Sequence, residues 1–295
     1  MLAISEKDWN LLIRAINTQR CTPFIGAGAC HKVLPLGADI ARKWSTEYGY
    51  PFDDSFNLIK VAQFLAVESY PMFPKDEIVR LFQDLNASPD FSNPSEPHRV
   101  LADLPLPIYL TTNYDDFMMR ALKRGRLRDP KREICRWNVL TRKAPSLFDN
   151  GYEPTPANPL VFHLHGHTEL PSSMVLTEDD YFDFLVNISR DAFPIPPRIQ
   201  TALTETSVLF IGYGLADWNF RVLLQGLSRF MEKGLGRTHM AVMLPPNISN
   251  SEEQQKKAQS YLSSYYENID VRVFWGTAND FCAELRERWS KSVAI

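Results

Sequence analysis

Cys21-Thr22-Pro23-Phe24-Ile25-Gly26-Ala27-Gly28 is a short apolar run cut off by glycine, and the way it ends decides how the rest of the chain reads. The same design recurs three times. Ile108 to Thr111 runs into Thr112-Asn113-Tyr114-Asp115, and Leu160 to His163 runs into Leu164-His165-Gly166-His167. Ser207 to Ile211 runs into Gly212-Tyr213-Gly214, with Asp217 and Asn219 close behind. Each time a buried-strand pattern stops and small or polar residues begin. In an open α/β sheet, ligands bind beyond the carboxyl ends of the strands. Four polar clusters at four strand ends are therefore expected to converge on one crevice.

Between and after these strands the periodicity is helical. Ser5 with Asp8 resembles a capping box, and Trp9, Leu12, Ile13 and Ile16 predict a first helix from about Glu6 to Thr18. Three helical patterns then follow without a strand: Ala38, Ile40, Ala41, Trp44; Leu58, Val61, Ala62, Leu65; and Ile78, Val79, Phe82, Leu85. Two more strands are expected at Met240 to Leu244 and Val271 to Trp275. Further helices are expected at Asp115 to Leu122, Asp217 to Met231, Ser251 to Tyr266 and Ala278 to Trp289. Strand alternating with helix predicts an α/β, doubly wound, mostly parallel sheet. The division expected is one domain, 1–295, with a core of 1–29 and 99–295 and a helical insert at 30–98 after the first strand.

Composition narrows the function class. Lys plus Arg number 32 against 35 Asp plus Glu, a net −3, which is a poor footprint for gripping nucleic-acid phosphates. The basic run Lys123-Arg124, Arg126, Arg128, Lys131-Arg132 reads as a solvated loop. The four cysteines, Cys21, Cys30, Cys135 and Cys282, lie far apart, so neither a zinc ribbon nor a secreted disulfide framework is expected. Acidic residues near Met1 and the lack of a long apolar run speak against a signal peptide or a membrane span, and a cytoplasmic location is expected.

Each cluster has a chemical reading and a plain one. Gly26-Ala27-Gly28 lets backbone approach a pyrophosphate, or is a bare glycine turn. His31 stands where a dinucleotide fingerprint has its third glycine, so hydride-transfer chemistry is not expected. Asn113 at a strand tip suits a ribose hydroxyl or a water, because a carboxamide both donates and accepts. Asp115 reads by itself as a helix cap, and so does Asp217. His163, His165 and His167 would share one face of a continuing strand and invite zinc. Gly166 breaks that strand and no further ligand lies close by, so no metal is expected. His165, beside the glycine, is placed for acid or base work; His163 reads as a hydrogen-bonded core residue.

Gly26-Ala27-Gly28, Thr111-Thr112-Asn113-Tyr114-Asp115, His163-Leu164-His165-Gly166 and Gly212-Tyr213-Gly214-Leu215-Ala216-Asp217-Trp218-Asn219, in this order, resemble the SIR2-like family. The likeness is to its bacterial antiphage NAD+-hydrolase branch. It implies a Rossmann-like core and NAD+ as substrate. By this resemblance Gly26, Ala27 and Gly28 cradle phosphates, Asn113 and Asp115 line the nicotinamide-ribose pocket, and Thr112 contacts the dinucleotide. His165 acts on a ribose hydroxyl or the attacking water, and Gly212, Tyr213, Gly214, Asp217 and Asn219 hold the adenosine side. Catalysis is thus expected from Asn113, His165 and Asp115. Cys30 and Gly214 stand where the family often has serine. No cysteine lies between Cys135 and Cys282, so the four-cysteine zinc module of the deacylases is missing. Deacylation, ADP-ribosyl transfer and ligand sensing without turnover remain the competing expectations. The resemblance further implies control by homo-oligomerisation or by a protein partner (an ATPase, a nucleotide-sensing protein or a short Argonaute), because residues 220–295 are needed to complete the sheet.

Overall fold

Successive side chains of a strand point to opposite faces, so a strand covered on both sides must be apolar throughout. Cys21–Ile25 (β1) is buried at every position, with Phe24 in one core and Ile25 in another. The same alternation runs through Ile108–Thr111 (β2), Leu160–His163 (β4) and Ser207–Ile211 (β5), where Leu110, Phe162 and Phe210 join Phe24 while Tyr109, Val161 and Leu209 join Ile25. The computed structural model describes residues 4–124, 128–189, 195–214, 239–245 and 252–293. Among these, Lys131–Ile134 (β3), His239–Met243 (β6) and Val271–Trp275 (β7) complete a seven-stranded sheet of order β3-β4-β2-β1-β5-β6-β7. Every pairing is parallel.

The strand order carries the functional consequence. From β1 the chain places β2 beside it, sets β3 at the edge and inserts β4 between them, then crosses to the other side of β1 for β5, β6 and β7. Such a reversal opens a crevice at the carboxyl ends of the central strands. The four central neighbours are β4, β2, β1 and β5, the four strands that end in the polar clusters.

Helices cover both faces. Glu178–Ser189, Pro197–Glu205 and Glu252–Glu267 supply Phe184, Ile188, Ile199, Leu203, Leu262 and Tyr266 to the Phe24 side. Glu6–Asn17, Pro97–Asp103, Phe117–Arg124 and Ala278–Val293 cover the Ile25 side. Ser5 caps the first helix by accepting from the Asp8 N–H at 3.1 Å, as its spacing predicts. Between β1 and β2, the helices Gly37–Tyr48, Leu58–Glu68 and Phe73–Leu85 build a third core around Trp44, Val61, Leu65 and Ile78. Met174 and Leu176 enter that core from beyond β4, and a buried Lys75–Asp180 ion pair at 2.8 Å ties the same helices to Glu178–Ser189.

Four elements depart from the sequence expectation. β3 lies in the basic run read as a loop: as an edge strand it has one neighbour, so Lys131 and Arg132 keep their charges partly in water. Pro97–Asp103 is a helix where none was expected, lying across the boundary read at residue 98. Glu178–Ser189 and Pro197–Glu205 were not read as helices either. The helix expected over Asp217 to Met231 lies outside the described residues.

Because Phe162 is fully buried between sheet and helices, Phe162→Ala should lower unfolding free energy by about 3–5 kcal/mol. Val139→Ala, at an exposed position, should stay within about 0.5 kcal/mol. Urea denaturation of both variants checks this, and equal losses would contradict the assigned core.

Candidate functional site

The loops after β1 and β5 meet first through backbone. The Gly26 N–H donates to the Ile211 carbonyl and the Gly28 N–H to the Gly212 carbonyl, both at 2.8 Å. A Cβ on Gly28 would lie 2.9 Å from the Gly212 Cα, and one on Gly212 would lie 2.4 Å from the Ala29 nitrogen. Gly212 also sits at φ +86°, where a side chain is strained. The glycines are thus required by loop-on-loop packing, independently of any phosphate. Tyr213 closes the contact. Its ring lies against Gly26, and its hydroxyl donates to the Ile25 carbonyl at 3.2 Å while pairing with the Thr112 hydroxyl at 2.9 Å. In this arrangement the Gly26 and Gly28 N–H groups are engaged with the β5 loop rather than turned outward. Ala27 begins the short 3-10 turn Ala27–Cys30, and Gly214 is exposed. Asp217 and Asn219 lie outside the described residues.

The loop after β2 locks onto the same place. Thr111 donates its hydroxyl to the Ile25 carbonyl at 3.1 Å and accepts from the Asn113 N–H at 3.0 Å. The Asn113 Nδ2 donates to the Gly26 carbonyl at 3.3 Å and to the Cys30 sulfur at 3.2 Å. A carbonyl only accepts, so this contact fixes the carboxamide with nitrogen inward and Oδ1 left as an acceptor with no protein donor among the described residues. Asp115 is committed on both oxygens. Oδ1 accepts from the Phe117 N–H at 2.9 Å, the capping role its position suggests, and Oδ2 accepts from the Cys30 thiol at 3.4 Å. Burial pushes its carboxyl above the usual range. Asp115 also borders a cavity of about 300 Å³, with Phe82 and Asn86 from the helices between β1 and β2 and with His167 and Glu169 from beyond β4.

The three histidines after β4 separate. The His163 Nδ1 lies 3.1 Å from the Asn113 carbonyl, the hydrogen-bonded core position expected of it. His167 stands edge-on to His163 at 4.8 Å and meets the Arg132 guanidinium at 3.0 Å. His165 turns elsewhere, its ring edge-on to Phe184 at 5.0 Å and Tyr181 at 5.4 Å. Gly166, at φ +85°, makes the break: a Cβ there would fall 2.2 Å from the Ser173 carbonyl oxygen. Burial lowers both His163 and His165 to about 3, so both rings are neutral. Each keeps a buried Nε2 without a protein partner among the described residues, an atom that a bound hydroxyl or water would satisfy.

Sequence reasoning missed the layer beneath. Cys30, Glu96 and His98 are buried under Asn113 and Asp115, with the His98 Nδ1 2.7 Å from Glu96 Oε1 and its Nε2 3.8 Å from the Cys30 sulfur. The available signal was Glu96-Pro97-His98 opening an apolar helix, two titratable residues where a buried face begins.

The sequence model of the SIR2-like domain matches residues 107–268. An Acinetobacter baumannii (strain 532279) protein named NAD(+) hydrolase ThsA is 24% identical over 268 residues, covering 89% of this chain and 50% of the relative. A Bacillus cereus (strain MSX-D12) protein of the same name is 25% identical, covering 74% of this chain and 42% of the relative. The chain therefore spans about half the length of the curated relatives it matches. A solved structure described as "Structural Basis for the Mechanism and Regulation of Sir2 Enzymes" aligns with 97% of this chain and 99% of its own at 12% identity and a TM-score of 0.45.

Two expectations follow. Gly212→Ala should cost at least about 2 kcal/mol more than Gly49→Ala in urea denaturation, because both sit at positive φ but a Cβ on Gly49 meets nothing within 4 Å. Equal costs would contradict the loop contact. Second, the neutral fold of His163 and His165 opposes a protonated unfolded chain below their ordinary value of 6.5. Their contribution is complete above about pH 6.5 and is lost as pH falls toward about 3, by up to about 1.4 kcal/mol per pH unit per histidine. His165→Gln should flatten the fall in stability between about pH 6.5 and about pH 4, and an unchanged slope would count against this.

Proposed function

The chain belongs to the SIR2-like family, and from that premise we propose that it hydrolyses NAD+ at the bond joining nicotinamide to ribose. What supports the reading is the adjacency of β4, β2, β1 and β5, which bear the four motifs on neighbouring strand ends. The names of the A. baumannii and B. cereus relatives point to the same reaction. The physiological role that goes with it is NAD+ depletion as an effector of antiphage defence.

The chemistry asks little of the protein beyond placement. As the C1′–N bond breaks, both electrons pass to the pyridinium nitrogen, so nicotinamide leaves neutral without a strong acid. The ribose then resembles an oxocarbenium ion, as in other glycoside cleavages. Asn113, with Oδ1 free, would hold a ribose hydroxyl or the water that adds to C1′. His165, neutral and with an unpartnered Nε2, would accept a hydrogen bond from that donor and then its proton. Asp115 would act from beneath, because both of its oxygens are already engaged within the protein. Gly26, Ala27, Gly28, Thr112, Gly212, Tyr213 and Gly214 would border the dinucleotide. The reading requires the β5 loop and its Tyr213 to withdraw from Gly26 when NAD+ enters. Assembly into a homo-oligomer or docking of a regulatory protein would be the means of control.

Purified protein incubated with NAD+ should release nicotinamide and ADP-ribose, with no acylated peptide present. His165→Ala and Asn113→Ala should each lower kcat/KM by about 100-fold or more. Chromatographic quantification of both products is the measurement, and undiminished turnover in both variants would remove the assignment. Turnover per chain should rise with protein concentration; full activity in dilute monomer would reject control by assembly.

A further inference from the structure

Cys30, His98 and Asp115 each present one ligand atom, and these atoms lie within 4.8 Å of one another in a buried cluster. Glu96 Oε1 is 2.7 Å from the His98 Nδ1, and a carboxylate only accepts, so Nδ1 carries the proton. The Nε2 of the same ring lies 3.8 Å from the Cys30 sulfur. Asp115 Oδ2, a second acceptor, is 3.4 Å from the same sulfur. The sulfur thus sits between the two groups; the Asn113 Nδ2 also donates to it, and the Phe117 N–H is taken by the other Asp115 oxygen. Among the described residues no lysine or arginine pairs with the Glu96 or Asp115 carboxylate, although both are buried.

We infer that Cys30, His98 and Asp115 form a tridentate site for a divalent cation of zinc type. Thiolate, imidazole and carboxylate are the donor set that zinc takes, at bond lengths of about 2.0–2.3 Å. Around a tetrahedral ion such bonds place neighbouring donor atoms about 3.5 Å apart, and the two separations to the sulfur are 3.4 and 3.8 Å. Glu96 supplies the outer carboxylate that orients a metal-bound imidazole. Binding exchanges no electrons: the Cys30 thiol proton passes to solvent and the sulfur pair goes to the ion. Bound there, the cation would join the turn after β1, the helix Pro97–Asp103 and the loop after β2. The inference concerns the cluster alone and does not depend on the hydrolase reading.

Chelator-treated full chain titrated with Co2+ alone, in the absence of NAD+, tests it. One cobalt per chain is expected, with thiolate-to-cobalt charge-transfer absorption, tetrahedral d–d bands, release of a proton and displacement by Zn2+. Cys30→Ser should abolish the charge-transfer band, while Glu96→Gln should keep it and weaken affinity about 10–100-fold. No saturable binding by the wild type, or a charge-transfer band unchanged in Cys30→Ser, overturns the site. Should Cys30→Ser fail to fold by circular dichroism, Glu96→Gln decides, and unchanged affinity there overturns it equally. Since NAD+ turnover is not the readout, loss of either assignment is told apart from loss of the other.

Discussion

Backbone meeting backbone between the loops after β1 and β5 is the contact on which the rest of the site depends. Two hydrogen bonds of 2.8 Å run from Gly26 and Gly28 into the β5 end. They extend the parallel register that pairs Ile25 with Ile211 at the centre of the sheet. Any side chain at Gly28 or Gly212 would push these loops apart. Close approach lets the Tyr213 hydroxyl reach Ile25 and Thr112, and leaves the Gly26 carbonyl where the Asn113 carboxamide needs an acceptor. A shift of one loop would therefore disturb the orientation of the others, since each is fixed by groups belonging to its neighbour.

Beneath that contact, beyond the strand ends, lies a buried polar layer. Asn113, Asp115, Cys30, His98, Glu96 and His163 are all buried, and their hydrogen bonds are mostly to one another. Burying polar groups is tolerable only where partners meet them, and a network of this kind favours one arrangement over many. Among the described residues, the Nε2 of His163 and that of His165 are left without partners and stand out against this background. Low polarity around both rings keeps them neutral, so neither is a cation. An exposed histidine of ordinary titration could not keep that character through mildly acid conditions.

Particular residues show how far sequence reading reaches. Strand ends at Gly26, Thr112, Leu164 and Gly212 were legible because an apolar run stopping at glycine or polar residues has a local cause, the loss of cover beyond the sheet. Caps such as Ser5 and Asp115 were legible for the same reason, since a cap acts within a few residues of itself. β3 was not: an edge strand with Lys131 and Arg132 lacks the two-sided burial that makes a strand visible. Nor was the Glu96–His98–Cys30 layer, whose members are brought together from both sides of the three helices between β1 and β2.

The sequence by itself determined the alternation of strand and helix, the parallel sheet, the places where strands stop and the kinship of its motifs, because each follows from side chains near in the chain. Tertiary structure alone decided that β4, β2, β1 and β5 are neighbours, that His163 rather than His165 touches Asn113, and that the glycines serve loop packing. Those outcomes depend on the order in which strands pair and on which loops then collide. Strand order and loop contact are long-range properties that no local pattern of residues encodes.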